Sequence, residues 1–166
     1  NKISDFSLKV AEAFASPSTA EVAHIDLLIG LRDGPVGKTL QETLANPRVG
    51  HEPQLVRFGS KPVKPDTLLV PTVTIRTERQ AELVYLHAMG GVGKAVVDSV
   101  EDGLLPKDAL EELVMIANVF VHPTASNSKR VTINNHKAMV WAIRRALEAR
   151  PTLEELMERK ESARHP

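Results

Sequence analysis

The sequence predicts an α+β domain in which a mixed sheet carries helices mainly on one face. Three observations lead there: two period-two stretches flanking an early loop, a late unbroken apolar run, and helix-period segments between and after them.

Phe6, Leu8 and Val10 alternate with Ser7, Lys9 and Ala11, the period of a strand. The SPST loop from Ser16 to Thr19 separates this stretch from EVAHIDLLIG at Glu21 to Gly30, so an antiparallel hairpin is expected. In the second strand Ala23, Ile25, Leu27 and Ile29 share a wholly apolar face, while Val22, His24, Asp26 and Leu28 share the other. An imidazole and a carboxylate therefore stand about 7 Å apart along one strand. Two readings follow: an acid and an anchor facing one ligand, or the polar side of a half-buried strand meeting water.

Asp33-Gly34-Pro35 starts a helix, since proline is harmless at the first helical position, and Val36, Leu40 and Leu44 line one of its faces. Asn46-Pro47 ends it. A short strand is expected over Gln54 to Phe58, then a loop through Pro62 and Pro65, then a strand over Leu68 to Arg76. There Thr72 and Thr74 face away from Val73 and Ile75, either as hydroxyls for a polar ligand or as ordinary strand residues. Thr77 can cap the helical segment ERQAELVYLHAM, and Gly90, Gly91 and Gly93 divide it from a second piece that Asp102-Gly103 ends. Pro106 opens a short helix toward Glu112. Leu113 to Val121 reads as a central strand buried on both faces. A long helix over Val131 to Arg150 packs through Met139, Ala142, Ile143, Ala146 and Leu147. Residues 1–150 thus form one domain, and Pro151 begins a charged tail over 151–166, a helix fitting a partner subunit or a frayed end.

A chain of 166 residues suits a single core. Lys plus Arg number 21 and Asp plus Glu number 21, so no global field draws nucleic acid or an anionic membrane. The absence of cysteine excludes thiolate catalysis, disulfides and thiolate zinc sites. No apolar run approaches the roughly 20 residues that span a bilayer, and the start NKISDFSLKV lacks the form of a secretion signal, so a soluble cytoplasmic protein is expected. GPVGKT and GGVGK are not phosphate loops, because Arg32 and Ala88 stand where that motif needs a glycine. The histidines have no HxxxH or HExxH spacing; a metal site at His24 and Asp26 would need a third ligand from a distant segment, and none is expected.

In EVAHIDLLIG, KPDTLLVPTVTI at Lys64 to Ile75, RQA at Arg79 to Ala81, VFVHP at Val119 to Pro123 and the terminal RKESARHP, the chain resembles the formaldehyde-activating enzyme family along nearly its whole length. The last fragment is similar to the family's RKSATHP with one residue more. The resemblance implies a fold similar to the second domain of ribosomal protein S5, and a cytoplasmic homopentamer with active sites in the clefts between neighbours. It implies a lyase condensing formaldehyde with the co-substrate tetrahydromethanopterin to the methylene derivative and water. By the same resemblance His24 matches the proton donor, and Asp26, Leu55 and Thr74 match residues of the pterin pocket. The match departs at Thr72, where the family carries lysine, at Met89, where it carries glutamine, and in the missing cysteines. Those losses remove a cation and an amide from ligand recognition. The rival expectations are a non-catalytic module that holds a pterin or a one-carbon adduct, and, from fold likeness alone, an RNA-associated protein, which the charge balance disfavours.

Overall fold

The computed structural model describes residues 8–148 and 157–158. Strands β1 (Leu8–Ala15) and β2 (Ala23–Leu31) form the expected antiparallel hairpin. Helix α1 (Pro35–Ala45) follows, then the two-residue strands β3 (Gln54–Leu55), β4 (Arg57–Phe58) and β5 (Lys61–Pro62), and then β6 (Asp66–Pro71). Helix α2 (Glu78–Glu82) runs through a π-helical turn at Leu83–Ala88 into α3 (Met89–Glu101). A 3-10 turn at Lys107–Ala109 leads to β7 (Leu113–Val121), and α4 (Ser128–Glu148) completes the described elements.

The main sheet has the order β1-β2-β7-β6-β3, antiparallel except where β6 runs parallel to β7. Helices α3 and α4 cover one face. There Ala23, Ile25, Leu27 and Ile29 of β2 meet Met115, Ala117 and Val119 of β7 and Ala138, Met139, Ala142, Ile143 and Ala146 of α4, all without measurable exposure. On the opposite face α1 covers only one end, through Val36 and Leu40 against Leu68, Val114 and Ile116. The other end, around His24 and Asp26, lies open. That asymmetry makes room for a site, because a sheet covered on one side can leave polar residues on the other without burying them.

Several expectations change. Gln54 to Phe58 is two strands: Val56 still donates its N–H to the Thr67 carbonyl of β6 and accepts from the Val63 N–H, after which β4 pairs with β5 instead. The strand expected over Leu68 to Arg76 stops at Pro71; one further bond to β7, from the Thr72 N–H to the Val119 carbonyl at 3.0 Å, closes the ladder before the chain turns away. Thr72 and Thr74 therefore share no strand face. Leu44 is an exposed residue at the end of α1 rather than a core contact. The glycines do not interrupt a helix either; all three lie within α3. Gly91 lets the backbone of α4 approach at Thr132, and Gly93 does so for Arg57 of β4, where a Cβ would collide with a carbonyl oxygen. The irregular stretch falls before them, at the π turn. Asn118 and Phe120 of β7 are only partly buried, so that strand is covered on both faces only in its first half. Thr77 caps as expected, in a reciprocal capping box with Gln80. Apart from Met157, which packs against the Leu31, Ala109 and Leu113 cluster, and Glu158, the tail lies outside the described residues, as do Phe6 and Arg150.

Candidate active site

Hairpin register assembles the site. Glu12 stands directly across from Asp26 and Phe14 across from His24 on the β1 side; Asn118 and Phe120 occupy the same two rows on the β7 side. Residues opposite one another in an antiparallel pair project to the same face, so these side chains form one patch. His24 Nε2 lies 3.3 Å from Glu12 Oε2 and 3.6 Å from Asp26 Oδ2. The Phe14 ring stacks on the imidazole, centroids 4.1 Å apart and planes within 10°. The ring is thus held flat by an aromatic on one side, with one nitrogen directed between two carboxylates.

Exposure differs sharply within the patch. The side chains of His24, Asp26 and Glu12 are 28%, 46% and 55% exposed. Nε2 itself has almost no exposure and no aligned hydrogen bond, although both carboxylates are within ion-pair reach. Partial burial raises the Asp26 carboxyl above its ordinary pKa; the His24 imidazole opposes that rise, and the hydrogen-bonding contact and charge of Glu12 add to it. The three ligand-type atoms also lie within 4.8 Å of one another, a spread a divalent cation tolerates, with Glu12 supplying the third group the sequence could not name. Acidic groups on an open face have that spacing commonly without an ion, and here they already engage each other.

Beside this patch a cleft of about 540 Å³ opens between the C-terminal half of α1, the loop after it and the end of β6. Thr39, Thr43, Arg48, His51, Thr72 and Asn118 are among the residues that line it. Asn118 joins cleft and patch, since its Nδ2 donates to the Asp26 carbonyl at 3.3 Å. His51 braces the wall: Nδ1 donates to the Pro71 carbonyl at 2.8 Å, which leaves Nε2 of the neutral ring to accept from the Thr74 hydroxyl at 2.8 Å.

Of the residues singled out from sequence, His24 and Asp26 come together. Leu55 does not join them; it is half exposed on β3, three strand spacings from β2, or roughly 14 Å across the sheet. Thr74 spends its hydroxyl on His51 and lines a small crevice beside Val119 and Val121, on the helix-covered side. Thr72 does line the cleft, whereas Met89 is a core residue of α3. Glu12, Phe14, Asn118 and His51 were not singled out. For Glu12 and Phe14 a signal existed: extending the alternation of Leu8 and Val10 puts both on that face.

The chain is thus an α+β domain with a carboxylate-imidazole-carboxylate cluster on the open half of its sheet, next to a polar cleft. Residues 10–166 match the family model described as formaldehyde-activating enzyme (Fae). The chain belongs to that family. It is 45% identical over 150 residues to the 5,6,7,8-tetrahydromethanopterin hydro-lyase of Methanosarcina barkeri, a match covering 90% of this chain and 84% of the relative. It is 41% identical to the bifunctional enzyme Fae/Hps of Methanosarcina mazei and 43% identical to that of Methanothrix thermoacetophila, each over 88% of this chain. The chain spans 38% of the length of those two bifunctional relatives.

Proposed function

We propose that the protein is a lyase that condenses formaldehyde with tetrahydromethanopterin, giving the methylene derivative and water, with His24 as the acid that supplies the proton. One observation carries the reading: in a chain closely similar to a tetrahydromethanopterin hydro-lyase, the imidazole of His24 is held between carboxylates on an open sheet face that borders a cleft. The chemistry fits such a group. An amine nitrogen attacks the formaldehyde carbon, and the resulting carbinolamine must lose its hydroxyl before the second nitrogen can close the ring. Hydroxide leaves poorly. A proton delivered to that oxygen as the C–O bond breaks turns it into water and leaves an iminium ion, which the second nitrogen captures while losing its own proton. Acid catalysis of this kind is worth about 10² to 10⁴ in rate, and holding both nitrogens near one carbon adds to it. The step needs only a proton.

In this reading Asp26 orients the pterin, and Leu55 and Thr74 line its pocket from a neighbouring subunit. The separation of those two residues from His24 within one chain supports a site built between copies, and so do Leu8, Val10 and Phe14, apolar side chains left exposed on the β1 flank of the patch. The proposed assembly is the family's homopentamer, on a fold similar to the second domain of ribosomal protein S5, with which the one-sided helix cover agrees. Residues 1–150 would act as its single domain and 151–166 as a tail, of which Met157 packs against the Leu31, Ala109 and Leu113 cluster. The binding-module reading rests on the altered position Thr72, which lines the cleft; Met89, the other departure from the family, lies in the core. One assay separates the two: methylene-tetrahydromethanopterin formation above the spontaneous rate, in wild type and in His24→Ala. The enzyme reading expects acceleration that drops about 10² to 10⁴ in the variant. Pterin binding with no acceleration establishes the module, and acceleration indifferent to His24→Ala removes the acid.

A further inference from the structure

We infer that Glu12 is the relay through which His24 exchanges protons with the substrate. The inference rests on the activity proposed above and adds to it a group, on the neighbouring strand, that the chemistry passes through.

The argument starts from the nitrogen that faces the carboxylates. His24 Nε2 has almost no solvent exposure and no aligned hydrogen bond, although the ring as a whole is 28% exposed. What covers it is Glu12 at 3.3 Å and Asp26 at 3.6 Å, with Phe14 stacked on the ring. A proton on that nitrogen therefore leaves through a carboxylate. Glu12 is the better exit on three counts. It is the nearer group, it is the more exposed of the two at 55%, and it has the longer side chain, on the edge strand β1. Its backbone is nevertheless fixed, by register with Asp26 and by Arg145 of α4, whose Nη1 donates to the Glu12 carbonyl at 2.6 Å. The groups facing the imidazole are thus Glu12 and Phe14 from β1, Asp26 from its own strand, and uncharged Asn118 and Phe120 from β7. Among the described residues no lysine or arginine makes an ion pair with Glu12, which meets His24 instead.

The proton count closes. The Glu12 carboxyl gives its proton to the carbinolamine hydroxyl as the C–O bond breaks, and His24 Nε2 restores it. When the second pterin nitrogen bonds to the iminium carbon it sheds one proton; Glu12, protonated again by then, gives its own proton back to Nε2 and takes this one in its place. Water leaves, and site and products end with no net proton gained or lost. Asp26 stays in place as the anchor and, by its contact with Glu12, helps keep a proton within the cluster.

The test uses the whole protein and the same condensation assay. Glu12→Gln keeps the size and hydrogen-bonding ability of the side chain but carries no proton; its kcat should fall roughly 10- to 100-fold while KM for the pterin stays within about twofold. Glu12→Asp should recover part of that loss, and added acetate should raise the rate of Glu12→Ala in proportion to its concentration, which a purely structural role would not allow. Denaturation midpoints check that the variants fold, as a half-exposed side chain permits. Independently of turnover, the Asp26 carboxyl should titrate lower in Glu12→Gln than in wild type by carbon NMR, because the contact and charge that help raise it are gone. Turnover that needs His24 but is unchanged in Glu12→Gln overturns the relay alone, and so does a loss that neither aspartate nor acetate restores. An unshifted Asp26 titration overturns the coupling on which the relay depends. A wild-type protein that does not accelerate the condensation overturns the activity, and the relay with it.

Discussion

The two sides of β2 are made of alternate residues of one strand, yet they do different work. Toward the helices, Ile25, Leu27 and Ile29 have no exposure at all and belong to the largest apolar cluster. On the far side, His24 and Asp26 sit part-exposed among groups of like and unlike charge, and one of them is held away from its ordinary pKa. The difference teaches that stability and chemistry are separated here by one-residue steps. A core position gains from being enclosed, whereas the open face leaves titratable groups in contact with one another and partly with solvent.

That separation can be broken at either end. The largest effect on stability is expected at Ile25→Ala, which removes fully enclosed carbon from between β2, β7 and α4: urea denaturation should show a loss of about 2 to 5 kcal/mol, with turnover per folded molecule retained. If His24→Ala cost as much stability as Ile25→Ala, the division between the faces would be lost.

A second contrast sharpens the first. Asp66 and Asp26 are both strand aspartates with partial burial, but Asp66 lies 2.9 Å from Arg32 and 3.0 Å from Lys64. Burial alone would raise its pKa; the hydrogen bonds and charges of those cations outweigh burial and lower it. With the folded value below the unfolded one, Asp66 contributes stability that is complete above its unfolded pKa and is lost as pH falls through the folded one. Asp66→Asn should therefore cost about 1 kcal/mol at neutral pH, shrinking toward zero in acid, as denaturation at several pH values would reveal.

Asp26 runs the other way. Its folded pKa is raised, so the native state disfavours the carboxylate; the penalty is absent below the unfolded value and complete above the folded one. Asp26→Asn should leave stability at neutral pH unchanged or raised by up to about 0.5 kcal/mol, with no gain in acid, while turnover falls. A loss of stability at neutral pH would show that this carboxylate is a structural group like Asp66.

Much of this was legible before any coordinates. Period-two spacing gave the hairpin, the apolar face of β2 and the shared face of His24 and Asp26, and the Thr77 cap was readable from residue type alone. The end of β6 at Pro71 is hidden in the sequence, because alternation continues past it into Val73 and Ile75, while pairing with β7 ends one bond later, at Thr72, where the chain turns away. The glycines of α3 show a related limit: glycine lowers helix propensity locally, yet the helix runs through all three, and the close packing that glycine allows is used by Gly91 and Gly93 for the approach of α4 and β4.

The sequence by itself determined which residues share a face, which segments are apolar enough to form the core, and which family the chain resembles. These depend on neighbours two to four positions apart or on fragments in fixed order. Only the tertiary structure decided that Glu12 meets His24 and Asp26, that Asn118 joins their patch to a cleft, and that Leu55 and Thr74 lie away from both in one chain. Cross-strand register and sheet order are set by packing between segments far apart in sequence, so the distances that govern the chemistry exist only once the sheet has closed against its helices.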